Sequence, residues 1–180
     1  CRLACEKARK VACACQPGNV VLAADTTVAD GAEILGKPES PQEAARMLTQ
    51  LRGRVHQVYT ALTVLLVGDG REAAVLCTSQ VRMRAYTDAE MQAYIDGGDP
   101  LDKAGAYGIQ HAGFHAVEAF AHCFANVMGL PLCHLDVLLG DLSGSQPPGR
   151  IPALCREHLG YACPVHAAMR VDAAAQVRMD

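Results

Sequence analysis

The chain has 180 residues, long enough to bury one substantial core, with room for a short appendage. Lys and Arg total 16 against 19 Asp and Glu, a formal net charge of -3, which excludes the basic footprint that a nucleic-acid duplex or an acidic membrane surface demands. No window approaches the ~18 apolar residues that cross a bilayer, and no basic start leads into an apolar core and cleavage site; a soluble, cytoplasmic protein is expected, its nine cysteines kept as reduced thiols.

A helix is predicted over residues 3–15, where Leu3, Ala4, Ala8, Val11 and Ala12 recur at helical spacing and Pro17-Gly18 supplies the stop. The continuous apolar run at residues 19–24 predicts a short strand buried on both faces, with Asp25 at its C-terminal end. Asp30-Gly31 signals a tight turn and Gly36-Lys37-Pro38 a loop. Ser40-Pro41-Gln42-Glu43 combines an N-cap, a proline at the first helical position and a capping-box glutamate, so a helix runs from there to about Leu51. The β-rich runs at 55–67 and 73–85 flank Gly68-Asp69-Gly70-Arg71 and predict a long antiparallel hairpin. Thr87-Asp88-Ala89-Glu90 is a second capping box, opening a helix that stops at Gly97-Gly98. A polar, glycine-bearing loop follows over residues 99–110, and Gly129-Leu130-Pro131 precedes a last core helix over 132–139. Beyond Gly140, the stretch Ser143-Gly144-Ser145-Gln146-Pro147-Pro148-Gly149 is a linker signature, which divides the chain into a main domain at 1–140 and a linker with a C-terminal extension at 141–180.

Four segments share a chemical theme: Glu6-Lys7-Ala8, Ala24-Asp25-Thr26, Gly36-Lys37-Pro38, and the run from Asp102-Lys103 to Ile109-Gln110. Together they offer a carboxylate, lysines and an amide beside flexible backbone, a set suited to binding a triphosphate and hydrolysing it between the α- and β-phosphates. Asp25 can accept a proton from water or share a hard cation with phosphate oxygens. Lys7 and Lys37 can act as point charges on the leaving pyrophosphate, while Thr26 and Gln110 can each donate and accept at a base edge. By spacing alone, the same aspartate also serves as a turn former and the lysines as solvated surface charges.

In order along the chain, those four segments together with Gly53-Arg54-Val55-His56-Gln57-Val58-Tyr59-Thr60 and Asn126-Val127-Met128-Gly129-Leu130-Pro131-Leu132 resemble the signature blocks of the Maf family. The resemblance spans residues 3–139. It implies an α/β fold like that of inosine triphosphate pyrophosphatases, a mixed twisted sheet with flanking helices, and hydrolysis of nucleoside triphosphates with Mg2+ or Mn2+ as cofactor. It puts Asp25 on the family's proton-acceptor and metal-binding aspartate, Lys7 and Lys37 on its phosphate-contacting lysines, and Thr26 and Gln110 on positions tied to base choice. The Ala-Asp-Thr and Gly-Ile-Gln forms resemble the dTTP/UTP branch rather than the branch acting on 7-methyl-GTP. The family's opening strand and Ser-Pro-Arg-Arg type phosphate loop have no counterpart ahead of Cys1, so the chain is expected to be N-terminally truncated; 7-methyl-GTP hydrolysis and a non-catalytic nucleotide-binding remnant stand as alternatives. The partners implied are the triphosphate substrate and, as an open option, a second copy in a homodimer.

The tail carries a further pattern, Cys155, His158, Cys163 and His166, whose sulfur and imidazole chemistry is that of zinc ligands. Its central spacing is short for a zinc module, and a helix at 153–159 packing Cys and Leu inward is the expected alternative.

Overall fold

Ala4 and Ala8 are fully buried, and with no bulk on that face the first helix, α1 (Arg2–Ala12), settles directly onto the sheet. Leu3 and Val11 are left exposed, so the apolar stripe is narrower than the spacing predicts. Arg9 anchors the helix through a two-bond contact with Glu72, at 2.8 and 3.1 Å. The computed structural model describes residues 1–144, 150–160 and 163–165.

The sheet beneath α1 has five strands in the order β2-β1-β3-β4-β5: β1 (Val20–Asp30), β2 (Glu33–Leu35), β3 (Val55–Leu66), β4 (Glu72–Met83) and β5 (Val117–Ala121). The α/β architecture with flanking helices is the one expected. Where a mixed sheet is expected, all four pairings are antiparallel among the described residues. Two of the four are hairpins: Asp30 pairs with Glu33 across a tight turn, and β3 and β4 are joined at the Gly68–Gly70 turn, a tight connection that only antiparallel strands permit.

One sequence expectation is corrected. The strand predicted at residues 19–24 runs on for 11 residues, so Asp25 lies at its middle rather than at its end. Nor is it buried on both faces, since Val20 and Leu22 are exposed. Thr26, Thr27 and Val28 are β-formers, and continuous pairing of β1 with β3 from Val20 to Ala29 carries the ladder past the aspartate.

Both predicted N-caps form, but the first capping box is incomplete, since the Glu43 carboxylate accepts from the Glu39 N–H at 2.7 Å rather than from Ser40. Ser40 Oγ accepts from the Glu43 N–H at the start of α2 (Pro41–Leu51). Thr87 and Glu90 form a reciprocal box at the start of α3 (Asp88–Asp96). The two helices bury Ala44, Met47, Leu48, Met91, Tyr94 and Ile95 against one face of the sheet. After β5 come the single turn α4 (Phe124–Val127) and α5 (Leu132–Ser143). The latter runs beyond the predicted 139 because Leu138 and Leu142 both pack on Leu62 and Val64, and it ends at Gly144 with φ 69°. Helix α6 (Arg150–Leu159) covers the predicted tail helix. No helix of the described residues is long and apolar enough to cross a membrane.

Two imidazoles sit in this interior, His56 and His134. Burial pushes each down to about 4 from the ordinary 6.5, with the charge of Asp30 partly opposing the shift at His56. Between those values the unfolded chain binds protons that the native chain refuses, so stability rises with pH across the window. Urea-unfolding midpoints should therefore fall as pH is lowered from about 6.5 to about 4; a flat profile over that range would show that the two imidazoles bind protons equally in the folded and unfolded chain.

Candidate active site

Strand β2 pairs with β1 only at Val28, Ala29 and Asp30, which leaves the edge of β1 beside Asp25 and Thr26 without a neighbouring strand. Successive side chains leave a strand on opposite faces, so Asp25 and Thr26 can line one cleft only where the sheet stops, and it stops here. The hairpin-closing pair Asp30–Glu33 and the Val67 N–H bond to the Asn19 carbonyl set the alternation of the ladder. By that alternation the backbone groups of Ala24 and Thr26 point to the open edge.

A cavity of about 550 Å³ occupies this edge, with Lys7, Asp25, Thr26, Lys37 and Gln110 all in its wall. The five residues singled out in the sequence come from four separate elements, and the fold brings every one of them to the same cleft. From α1 the Lys7 ammonium donates to the Asp25 carboxylate, an aspartate whose side chain is only 20% exposed against 57% for the lysine. Lys37 extends from the loop after β2, is exposed and makes no ion pair among the described residues. Gln110 lies at the rim, also exposed.

The far wall is the 99–110 segment, shaped by two short 3-10 turns, Asp99–Asp102 and Ala104–Ala106. Here the structure adds residues to which the sequence reading assigned no role. Lys103 Nζ donates to Asp99 Oδ1 at 3.1 Å and to Asp102 Oδ1 at 2.6 Å. The Tyr94 hydroxyl donates to Asp99 at 2.7 Å and accepts from the Gly108 N–H at 3.1 Å. Burial works to raise the Asp99 carboxyl, but the hydrogen bonds from Tyr94 and Lys103 outweigh it and hold Asp99 below the usual carboxylate range. Burial likewise works against the Lys103 charge, and the two aspartates reverse it, raising its pKa. Asp102 and Lys103 stood within a recognised block, whereas nothing in the sequence linked Tyr94 to Asp99.

Gly105 seats this wall against the strand. Its N–H donates to the Gly36 carbonyl at 3.0 Å, its φ is +72°, and a Cβ built on it would lie 2.9 to 3.1 Å from the Val28 side chain. Tyr107, also in the cavity wall, holds His56 Nε2 through its hydroxyl at 2.8 Å.

Asp25, Asp99 and Asp102 line the cavity, but among the described residues no three His, Cys, Asp or Glu groups gather into a metal site. A hard cation here would have Asp25 as a protein ligand and would complete its shell with phosphate oxygens and water, the pattern Mg2+ favours. In the tail, Cys155 and Cys163 line a small separate cavity of about 20 Å³ with Cys123 and Cys133. Of the Cys155, His158, Cys163 and His166 pattern, His166 lies outside the described residues, and the described members form no metal-binding group of three.

Fold and side chains thus define an α/β domain with a mixed-charge cleft at an open sheet edge, within the size range of small-molecule sites. The chain belongs to the Maf-like protein family, whose model matches residues 1–142. It is 51% identical over 138 residues to a protein of Myxococcus xanthus named dTTP/UTP pyrophosphatase, a match covering 77% of this chain and 68% of that protein. It is 43% identical over 136 residues to a protein of the same name from Dehalococcoides mccartyi, covering 76% of this chain and 60% of the relative. A Moorella thermoacetica protein, again so named, is 44% identical over 137 residues, with 76% and 70% covered. The chain therefore spans about three fifths of the length of the Dehalococcoides relative.

The Gly105 contact gives a test of how the cleft wall is held. Gly105→Ala should lower unfolding stability by about 2 kcal/mol, combining left-handed strain with overpacking against Val28. Gly31→Ala, also at positive φ but in open space, should cost only about 1 kcal/mol. Equal losses in denaturant titrations would mean that the Val28 contact contributes nothing.

Proposed function

We propose that this chain carries the active site of a nucleoside triphosphate pyrophosphatase that hydrolyses dTTP and UTP to the monophosphate and pyrophosphate. The observation that carries the reading is the convergence of Asp25, Lys7, Lys37, Thr26 and Gln110 on one cleft; relatives named dTTP/UTP pyrophosphatase support it.

In this reading the Lys7–Asp25 pair is a resting arrangement. An incoming triphosphate offers Lys7 a denser negative charge, and the Asp25 carboxylate is freed to accept a proton from the attacking water. Water adds across the α–β anhydride, the bridging P–O bond breaks, and its electron pair leaves with pyrophosphate. Lys37, with no ion-pair partner among the described residues, supplies charge to that leaving group. A bound Mg2+ or Mn2+ would offset the triphosphate charge and polarise its oxygens. Thr26 and Gln110 face the base. We place the activity in the cytoplasm, where buried thiols such as Cys77 and Cys123 stay reduced, with a homodimer as one assembly to be tested by sedimentation.

Asp25→Asn preserves shape and removes the charge, so pyrophosphate release should fall at least about a hundredfold, and wild-type release should stop in excess EDTA. A folded mutant with undiminished release would take Asp25 out of the mechanism. In competition assays dTTP and UTP should exceed 7-methyl-GTP in kcat/KM, and Gln110→Glu should narrow that ratio by removing the amide donor. A wild-type preference for 7-methyl-GTP would reassign the substrate; nucleotide binding without turnover would leave a binding protein.

A further inference from the structure

Behind Thr26 lies a chain of hydroxyl and amide groups that the proposed function does not use. Thr60 is fully buried on the neighbouring strand, opposite Thr26 in the β1–β3 register, and its Oγ1 is 2.9 Å from Thr26 Oγ1. The same Thr60 Oγ1 donates to the Asn126 carbonyl at 3.1 Å. A carbonyl oxygen only accepts, so this bond consumes the single proton that Thr60 owns. The Thr26–Thr60 bond must then use the Thr26 proton. Thr26 is left with lone pairs alone to offer the cleft.

The far end of the chain is pinned, with the Asn126 side-chain oxygen the one buried atom of these groups left without a partner among the described residues. Asn126 donates from its side-chain amide to the Val58 carbonyl and to Ser79 Oγ, both at 3.0 Å. Ser79 in turn donates to the Cys123 carbonyl at 2.9 Å and accepts from the Cys123 N–H at 3.1 Å. The Asn126 carbonyl also receives the Gly129 N–H at 2.9 Å, which fixes the 126–129 turn that forms the cleft floor beside Thr26. For Thr26 to become a donor toward the cleft, a hydrogen bond inside this buried chain must be given up.

We propose that Thr60 is a positioning residue that locks Thr26 as a hydrogen-bond acceptor, so that the cleft favours a base presenting an N–H, as uracil and thymine do at N3, over cytosine, whose N3 is an acceptor. The proposal rests on the reading that Thr26 faces the base. Gln110 does not supply this discrimination by itself: it is exposed, and no hydrogen bond among the described residues fixes which end of its amide faces the cleft, so it can turn to suit either base.

The test compares UTP with CTP, using both pyrophosphate release and binding of their non-hydrolysable α,β-methylene analogues. Wild type should favour the uracil member about tenfold or more, the scale of one buried hydrogen bond. Thr60→Val keeps the shape but neither donates nor accepts; it should bring the ratio close to one, with the change in KM and in analogue affinity rather than in kcat. Thr60→Ser should restore the wild-type ratio. If the Val variant does not fold, Thr60→Cys, a weak donor of similar volume, should give an intermediate ratio. A merely structural Thr60 would depress UTP and CTP alike with the ratio intact, and that result overturns the proposal. Equal wild-type use of UTP and CTP overturns it as well, while leaving the pyrophosphatase reading standing. Absence of both turnover and analogue binding in wild type removes that reading and the proposal together.

Discussion

The site depends on a mismatch in strand length. Strand β1 has 11 residues and its outer neighbour β2 only three, so most of one edge of β1 is left without a partner. Exposed edges are usually blunted against intermolecular pairing, and here the 99–110 segment stands across from the open stretch, with Lys7 reaching in from α1, and leaves a cleft between. The backbone polar groups that β2 would have consumed remain directed into that cleft. In the same register a longer β2 would set Lys37 opposite Thr26 and close the ladder where the cavity now stands.

Charge in the cleft is held in near balance by local pairing. Lys7 answers Asp25, and Lys103 answers both Asp99 and Asp102. Such pairs are partly solvated and contribute little to stability on their own, but they keep unlike charges in position without burying any of them alone. A polyanionic ligand would compete for the lysines and leave the carboxylates free to act on water or a cation. A chain with net negative charge can in this way offer cations to an anionic ligand: a few placed lysines suffice where a general basic surface is absent.

Beneath the cleft, polarity is organised differently. Thr60, Asn126 and Ser79 are buried where an unsatisfied donor or acceptor is costly, and hydrogen bonds join them to the half-buried Thr26. The same network ties β1, β3 and β4 to α4, and α4 leads into the turn under the cleft. His56 and Tyr107 form a second such tie, from the sheet interior to the opposite wall. The cleft is thus fastened to the core from two sides by short hydrogen bonds rather than by apolar contact alone.

Much of this was legible from local signals. The capping residues Ser40 and Thr87, the β3–β4 turn and the stop after α3 are set by chemistry within a few residues of chain, and each formed where the sequence placed it. The ordered blocks also picked out Lys7, Asp25, Thr26, Lys37 and Gln110, which meet around one cavity. The extent of β1 was misjudged because a strand's end is decided by how far its partner β3 continues, a non-local fact. The pairing of Tyr94 with Asp99, the seat of Gly105 on Val28 and the hydrogen-bonded chain from Thr26 to Asn126 left no mark in spacing. They depend on atoms from distant segments coming within hydrogen-bonding or van der Waals reach, and only the packed tertiary structure decides that.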